Sequence, residues 1–161
     1  MILIRKANNS DSPRILEWRN DPVTQKMSKN TSPVRPEDHE AWFMTMRNDP
    51  SRIIYIAEVD AKPVAMCRFD LISIEEIPPR NGLAEVSINL APEIRGRGLS
   101  SEILSRAIER FFSDYRPLSL IADIKEDNSA SIRCFLKAGF VDTRKRMGEY
   151  LRFSRESNRL F

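Results

Sequence analysis

The chain is 161 residues long, 41% hydrophobic and 30% charged, with ten prolines and five glycines. At roughly 150 residues per domain this predicts a single domain over residues 1–161 with a sizeable core, and the composition excludes a collagen, a disordered tail, a disulfide miniprotein and a membrane-spanning helix of ~18 apolar residues. Lys and Arg total 26 against 23 Asp and Glu, a net charge of +3 with the signs interleaved, which argues against nucleic acid as a partner and suits an anionic small ligand. In chain order, ILIRK at 2–6 reads as a first strand. Ser12-Pro13 then carries the N-cap and first-turn proline of a helix through ILEWRN, and Asp21-Pro22 repeats the device for a short helix, PVTQKMS. After the polar stretch NTSPVRP, Pro36-Glu37 opens a third helix, EDHEAWFMTMRND, with His39 on or near its wet face. Ile53 to Val59 and Val64 to Ile72 read as a hairpin turning at Asp60-Ala61-Lys62-Pro63, and 78–82 as a loop.

The second half is more regular. Ala84 to Leu90 alternates as a strand. A loop over 92–98 leads into a helix from Leu99 to Phe112 with a clear 3.6-residue apolar period. Leu118 to Ile124 reads as a buried strand, and Asn128 to Lys137 as a helix closed by Gly139. The segments 140–144 and 149–153 form a last hairpin turning at Met147-Gly148. This order predicts one α/β domain with a mixed sheet.

Cys67 and Cys134 lack metal-ligand spacing, and with a single histidine no zinc site is expected. Reduced thiols and a start, MILIRKANNSDS, without the apolar region of a signal peptide predict a cytoplasmic chain, with no membrane association. The glycine-rich loop carries more chemistry. A turn entering a helix N-terminus presents unpaired N–H groups and the positive end of the helix dipole. Gly96 and Gly98 let the backbone approach an anion, and Arg95 and Arg97 add charge-assisted hydrogen bonds. The plainer alternative is a tight strand-to-helix turn that uses glycine. A phosphate-binding loop ending Gly-Lys-Ser/Thr and the three-glycine dinucleotide spacing are both absent.

Arg95-Gly96-Arg97-Gly98-Leu99-Ser100 resembles the Gln/Arg-x-x-Gly-x-Gly/Ala signature of the GNAT acetyltransferases, with Ser100 in place of the usual Gly or Ala. AEVSINLAP resembles the strand that precedes it in that superfamily, and Asn128-Ser129-Ala130-Ser131 to Gly139-Phe140 resembles its second signature. The resemblance implies a GNAT fold: a mixed, mostly antiparallel sheet of six to seven strands with about four helices. It implies acetyl-CoA as cofactor, with backbone at Ile88, Asn89 and Leu90 on the pantetheine arm, Arg95, Gly96, Arg97, Gly98, Leu99 and Ser100 at the pyrophosphate, and Asn128, Ser131 and Phe135 beside the thioester end. Phe135 stands where many members have a Tyr that protonates the leaving thiolate; Phe has no proton to give, which leaves water, Ser131, Tyr150 or another hydroxyl. Glu85 is the candidate base by the resemblance, and Asp70 on the neighbouring strand is the alternative. A surface ion pair is the plainer reading of Glu85.

The acceptor is expected against the N-terminal third. Leu16 to Pro22, with Asp38 to Phe43 and Arg68-Phe69-Asp70, resembles a GNAT subgroup that acetylates nucleotide-linked amino sugars in surface-glycan pathways. That implies an anionic nucleotide sugar as the amine substrate, with Arg19, Asn20, Trp42, Arg68 and Tyr150 as substrate-binding residues and Met27 and Phe43 as pocket walls. Core packing is the competing role for Trp18, Trp42, Met27 and Phe43, and helix capping for Arg19 and Asn20. Acetylation of ribosomal-protein N-termini and a non-catalytic acyl-CoA-binding module are the other functions, and strand-edge pairing would give a homodimer.

Overall fold

Strands favour β-branched and aromatic residues, and the run IIYIAEV at 53–59 is the densest case. The computed structural model describes residues 1–72, 82–115 and 119–157. The strands are β1 Ile2–Lys6, β2 Arg52–Val59, β3 Lys62–Ile72, β4 Leu83–Leu90, β5 Ser119–Lys125, β6 Val141–Met147 and β7 Tyr150–Arg155. They make one sheet in the order β1-β2-β3-β4-β5-β7-β6. β4 and β5 pair parallel, and the other neighbours pair antiparallel, which makes the mixed, mostly antiparallel sheet that the resemblance implies. The helices are α1 Ser12–Arg19, α2 Pro22–Met27, α3 Pro36–Asn48, α4 Ser100–Tyr115 and α5 Ser129–Lys137. These are the five helices read in chain order, one more than the resemblance implies, and α2 has its N-terminus capped by the Asp21 carboxylate, which accepts from the Val23 and Thr24 N–H groups at 3.1 and 3.2 Å. The expected loop at 78–82 lies, apart from Gly82, outside the described residues.

The period of two in each strand sorts its residues between two faces. One face is apolar and packs on α4: Phe69 of β3 stacks on Phe111 of α4 with centroids 4.2 Å apart and planes 7° apart, and Tyr55 of β2 meets the edge of Phe69 at 5.8 Å. The Tyr55 hydroxyl donates to Asp114 at 2.8 Å, so this buried phenol is satisfied. The opposite face carries Met66, Arg68 and Asp70 of β3 across from Asn89, Ser87 and Glu85 of β4. Helices α2 and α3 lie over it, through Thr24 to Asn89 and Arg52 to Met46. Among the described residues no helix is long and apolar enough to cross a membrane, and both cysteines are free and buried.

Three local expectations change. The capping signal at Ser12 is displaced: a short 3-10 turn at Asn9–Asp11, with its own capping box on Asn8, precedes α1, and Ser12 becomes its first residue. The Ser12 hydroxyl instead donates to Glu40 at 2.8 Å. His39 is buried rather than wet, because the inward stripe of α3 is His39, Phe43 and Met46. Burial pushes its pKa below the usual imidazole range, and its Nε2–H donates to the Ser12 carbonyl at 2.9 Å. The β2–β3 hairpin turns on Asp60 and Ala61, both at positive φ (50° and 63°), the hand that a two-residue hairpin loop requires.

Candidate active site

β4 and β5 pair over three registers only, Leu83↔Ser119, Ala84↔Leu120 and Glu85↔Ile121. Beyond Glu85, β5 continues with β7 as far as Lys125↔Tyr150, while β4 stays with β3 as far as Leu90↔Ala65. The two strands therefore part, and among the described residues the β5-facing edge of β4 around Ile88, Asn89 and Leu90 has no strand beside it. Such an edge is a template for an extended chain that can hydrogen-bond backbone.

The glycine turn lies past the end of that edge. Gly96 and Gly98 have φ of +73° and +74°, a conformation that L side chains rarely adopt. A Cβ at either would meet nothing within 4 Å, so space is open over the turn, and α4 starts at Ser100 directly behind it. The N–H groups of the helix's first turn have no intrahelical partners. This open turn at a helix start fits a pyrophosphate, and the bare β4 edge fits an amide-bearing arm. Arg97 is exposed there. Arg95 is not free to meet an anion: it pairs with Asp21 at 2.7 Å and donates to Thr24 Oγ1 at 2.9 Å and the Leu90 carbonyl at 3.3 Å. Burial works to raise the Asp21 pKa, and Arg95 with the Thr24 and Val23 N–H groups outweighs it, holding the carboxyl below its usual range.

On the polar face, Glu85 sits directly across from Asp70 at the last paired register before the strands part. Lys29 reaches Glu85 from the loop after α2, Nζ to Oε1 at 3.1 Å, and lies 6.0 Å from the Tyr150 ring. Arg152 holds Asp123 through two hydrogen bonds of 2.8 and 2.9 Å and keeps its pKa below the usual carboxylate range. Asp70 shifts the other way. Burial raises its pKa and Glu85 adds to this, against the opposing pull of Arg68 and Arg52. Arg68 Nε lies 3.1 Å from Asp70 Oδ2, but alignment is poor: Arg68 Nε and Asp70 Oδ1 are both buried without a hydrogen-bond partner.

A raised carboxyl pKa means that the folded state holds the proton more tightly than the unfolded state. Stability then grows as pH falls through the folded pKa, and above it the buried charge is a net penalty. Asp70→Asn is accordingly expected to melt no lower than the parent at pH 7, with any gain shrinking on acidification. Thermal unfolding across pH checks this, and a clear loss at pH 7 would show that pairing with Arg68 outweighs burial.

The other predicted residues divide. Asn128 caps α5, its side chain accepting from the Ser131 N–H at 3.2 Å. Ser131 is half-buried. Phe135 is buried against Phe140, with centroids 5.0 Å apart. Trp18 and Phe43 belong to the core, so Phe43 is not a pocket wall. Trp42 stands on α3 beside the His39 ring, centroids 5.5 Å apart, on a helix that packs on α1 and β2 rather than at the parting strands. Asn20 is spent on the loop, its amide donating to the Val34 carbonyl and its oxygen accepting from the Val34 N–H, both at 2.8 Å. Arg19 donates to the Asn30 carbonyl at 2.6 Å. Both residues hold the loop that carries Lys29, Asn20 in both directions and Arg19 through one nitrogen, while the other terminal nitrogen of Arg19 is buried without a hydrogen-bond partner. Lys29 itself has no sequence signal, being one lysine in a polar stretch.

Residues 2–141 match the family model of the acetyltransferase (GNAT) domain. The chain belongs to the GNAT acetyltransferases. As such it is an N-acetyltransferase with acetyl-CoA as co-substrate. It is similar to YwnH of Bacillus subtilis (strain 168), a candidate phosphinothricin acetyltransferase, at 33% identity over 143 residues covering 86% of this chain and 83% of YwnH. It is 28% identical over 139 residues to the L-methionine sulfoximine/L-methionine sulfone acetyltransferase of Pseudomonas aeruginosa PAO1, covering 85% and 78% of the two chains. In fold, this GNAT chain superposes with a TM-score of 0.82 on the aminoglycoside acetyltransferase AAC(6')-Ib crystallised with coenzyme A and kanamycin, at 18% identity and 98% and 95% coverage.

Proposed function

We propose that this enzyme acetylates the primary amine of an anionic, hydroxylated small molecule, with a nucleotide-linked amino sugar as the acceptor class, by direct transfer at the parting of β4 and β5. The observation that carries the reading is the placement of Glu85 opposite Asp70 at that point, on a face lined by Arg68, Lys29, Arg152 and Tyr150. An apolar acceptor would find few partners there, whereas a polar, hydroxylated amine would find hydrogen-bond partners among the pairs Arg68–Asp70, Lys29–Glu85 and Arg152–Asp123.

Acetyl-CoA supplies the acetyl group as a thioester. The open backbone of Ile88, Asn89 and Leu90 and the turn from Arg95 to Ser100 hold and orient it, with Arg97 as the arginine whose side chain is free to meet phosphate. Backbone N–H groups on the same edge are the donors available to a developing oxyanion. Glu85 takes a proton from the acceptor ammonium, directly or through water, so that a neutral amine can attack. Asp70, with its raised pKa, is the second proton acceptor within the same cluster. Phe135 offers no proton, so Ser131, Tyr150 or water returns one to the leaving sulfur.

A second acceptor class, the α-amine of a small amino-acid analogue, is favoured by the names of the two curated relatives. Coenzyme A release separates the readings. With acetyl-CoA present, UDP-linked 4-amino sugars are expected to turn over with a kcat/KM at least about tenfold above those for phosphinothricin, methionine sulfone and a ribosomal-protein N-terminal peptide, a difference of about 1.4 kcal/mol in transition-state binding. The reverse ranking would replace the sugar by whichever amine leads.

A further inference from the structure

The end of α2 and the α2–α3 loop are tied down at three points: Lys125 donates to the Lys26 carbonyl at 3.0 Å, Arg19 to that of Asn30, and Asn20 clamps Val34 in both directions. Between these ties stands Lys29. Its ammonium rests 3.1 Å from Glu85 Oε1, at the register where β4 and β5 cease to pair. Its side chain is 63% exposed against 29% for Glu85, so the carboxylate is the fixed partner and the lysine the movable one. The face of Tyr150 flanks it on the other side. A primary ammonium held on the candidate base, with an aromatic face beside it, is what an acceptor amine would present at the same place.

We propose that Lys29 occupies the acceptor-amine position when no acceptor is bound, and that it is itself a site of acetylation by the enzyme's own acetyl-CoA. This rests on the reading of Glu85 as the base. The step balances as ordinary transfer. Glu85 takes a proton from the Lys29 ammonium and passes it to solvent. The Nζ–C bond forms, the C–S bond breaks, and the second proton lost from the nitrogen ends on the departing thiolate, giving coenzyme A. The product is a neutral amide that no longer pairs with Glu85. From Glu85 to the open edge at Ile88 is about 10 Å at ~3.3 Å per residue, so the transfer requires the exposed lysine to swing from Glu85 toward that edge on its flexible four-carbon stem.

The test incubates the purified protein with acetyl-CoA alone and follows individual lysines by peptide mass spectrometry, with exposed Lys62 as reference. Lys29 is expected to be acetylated at least about tenfold faster than Lys62, and Lys29→Arg to lose that fast modification. Equal rates at the two lysines, or none at Lys29 in a protein that turns over acceptor, overturn the proposal and leave the Glu85 reading intact. Fast acetylation of Lys29 that persists in Glu85→Gln supports the shared position and removes Glu85 as the base. A second measurement needs no coenzyme. Trace labelling with acetic anhydride should modify Lys29 more slowly than Lys62 in the parent, and at a similar rate in Glu85→Gln. Lys29 labelling as fast as Lys62 in the parent would show that the ion pair is not held in solution, and the proposal falls.

Discussion

Glu85→Gln is expected to lower kcat by about 10²-fold while leaving the KM for acetyl-CoA within a factor of about two. General-base removal has effects of this order when the base acts in the rate-limiting proton transfer. Gln keeps the size and the hydrogen-bonding carbonyl of Glu but cannot accept a proton at neutral pH, so the loss falls on the chemical step. The binding surfaces for the coenzyme, at the β4 edge and the glycine turn, lie away from position 85 along the strand. Stability should hardly move. The partner lost is an exposed lysine, and such pairs contribute about 0–1 kcal/mol. Steady-state kinetics on the two substrates, with a melting curve as the folding control, decide the matter. An unchanged kcat would reduce Glu85 to a strand-side ion pair. Should Asp70→Asn lose the rate instead, the half-buried carboxyl across the register is the proton acceptor.

Gly98→Val should act on the other substrate. The residue sits at a φ of +74°, where a β-branched side chain is strained by about 1–3 kcal/mol. No neighbour lies within 4 Å of a Cβ built there, so crowding is not the difficulty and the fold should survive. The backbone would relieve its strain by rotating, and rotation re-aims the N–H groups at the start of α4. At about 1.4 kcal/mol per tenfold change in affinity, the expected outcome is a KM for acetyl-CoA raised about tenfold or more, with kcat at saturation within a few-fold of the parent. Gly98→Ala, without the branch, should fall between. A Val variant with unchanged coenzyme KM would mean that the turn serves only to connect β4 to α4.

The parts of this molecule that can be read from one sequence are those specified by neighbours in the chain. The glycine turn, the α4 period and the cap at Asp21 depend on a few adjacent residues, and they stand where the sequence puts them. What escapes is the choice of partner. Arg95 looks like a phosphate ligand until Thr24, 71 positions away, and Asp21 take its guanidinium. Lys29 and Glu85 lie 56 positions apart, and neither residue type nor spacing announces their meeting. Asn20 and Arg19 stand out in a conspicuous motif, yet the Asn20 amide and one Arg19 nitrogen are held by the backbone of a loop. The burial of His39 escapes for a related reason. Its helix has an inward stripe in which an imidazole can be satisfied by a carbonyl on α1, and that carbonyl is visible only once the two helices pack.

The Asp21–Arg95 pair has a consequence for anyone recombining parts of this family. It joins the cap of an acceptor-side helix to the turn on the coenzyme side, and both partners are largely shielded from water. A chimera that imports a foreign N-terminal segment, in order to change the amine used, must bring an acidic residue at position 21 or replace Arg95 as well. Otherwise it strands a guanidinium whose anion is gone, and a swap meant to alter the acceptor would be recorded as a failure to use acetyl-CoA.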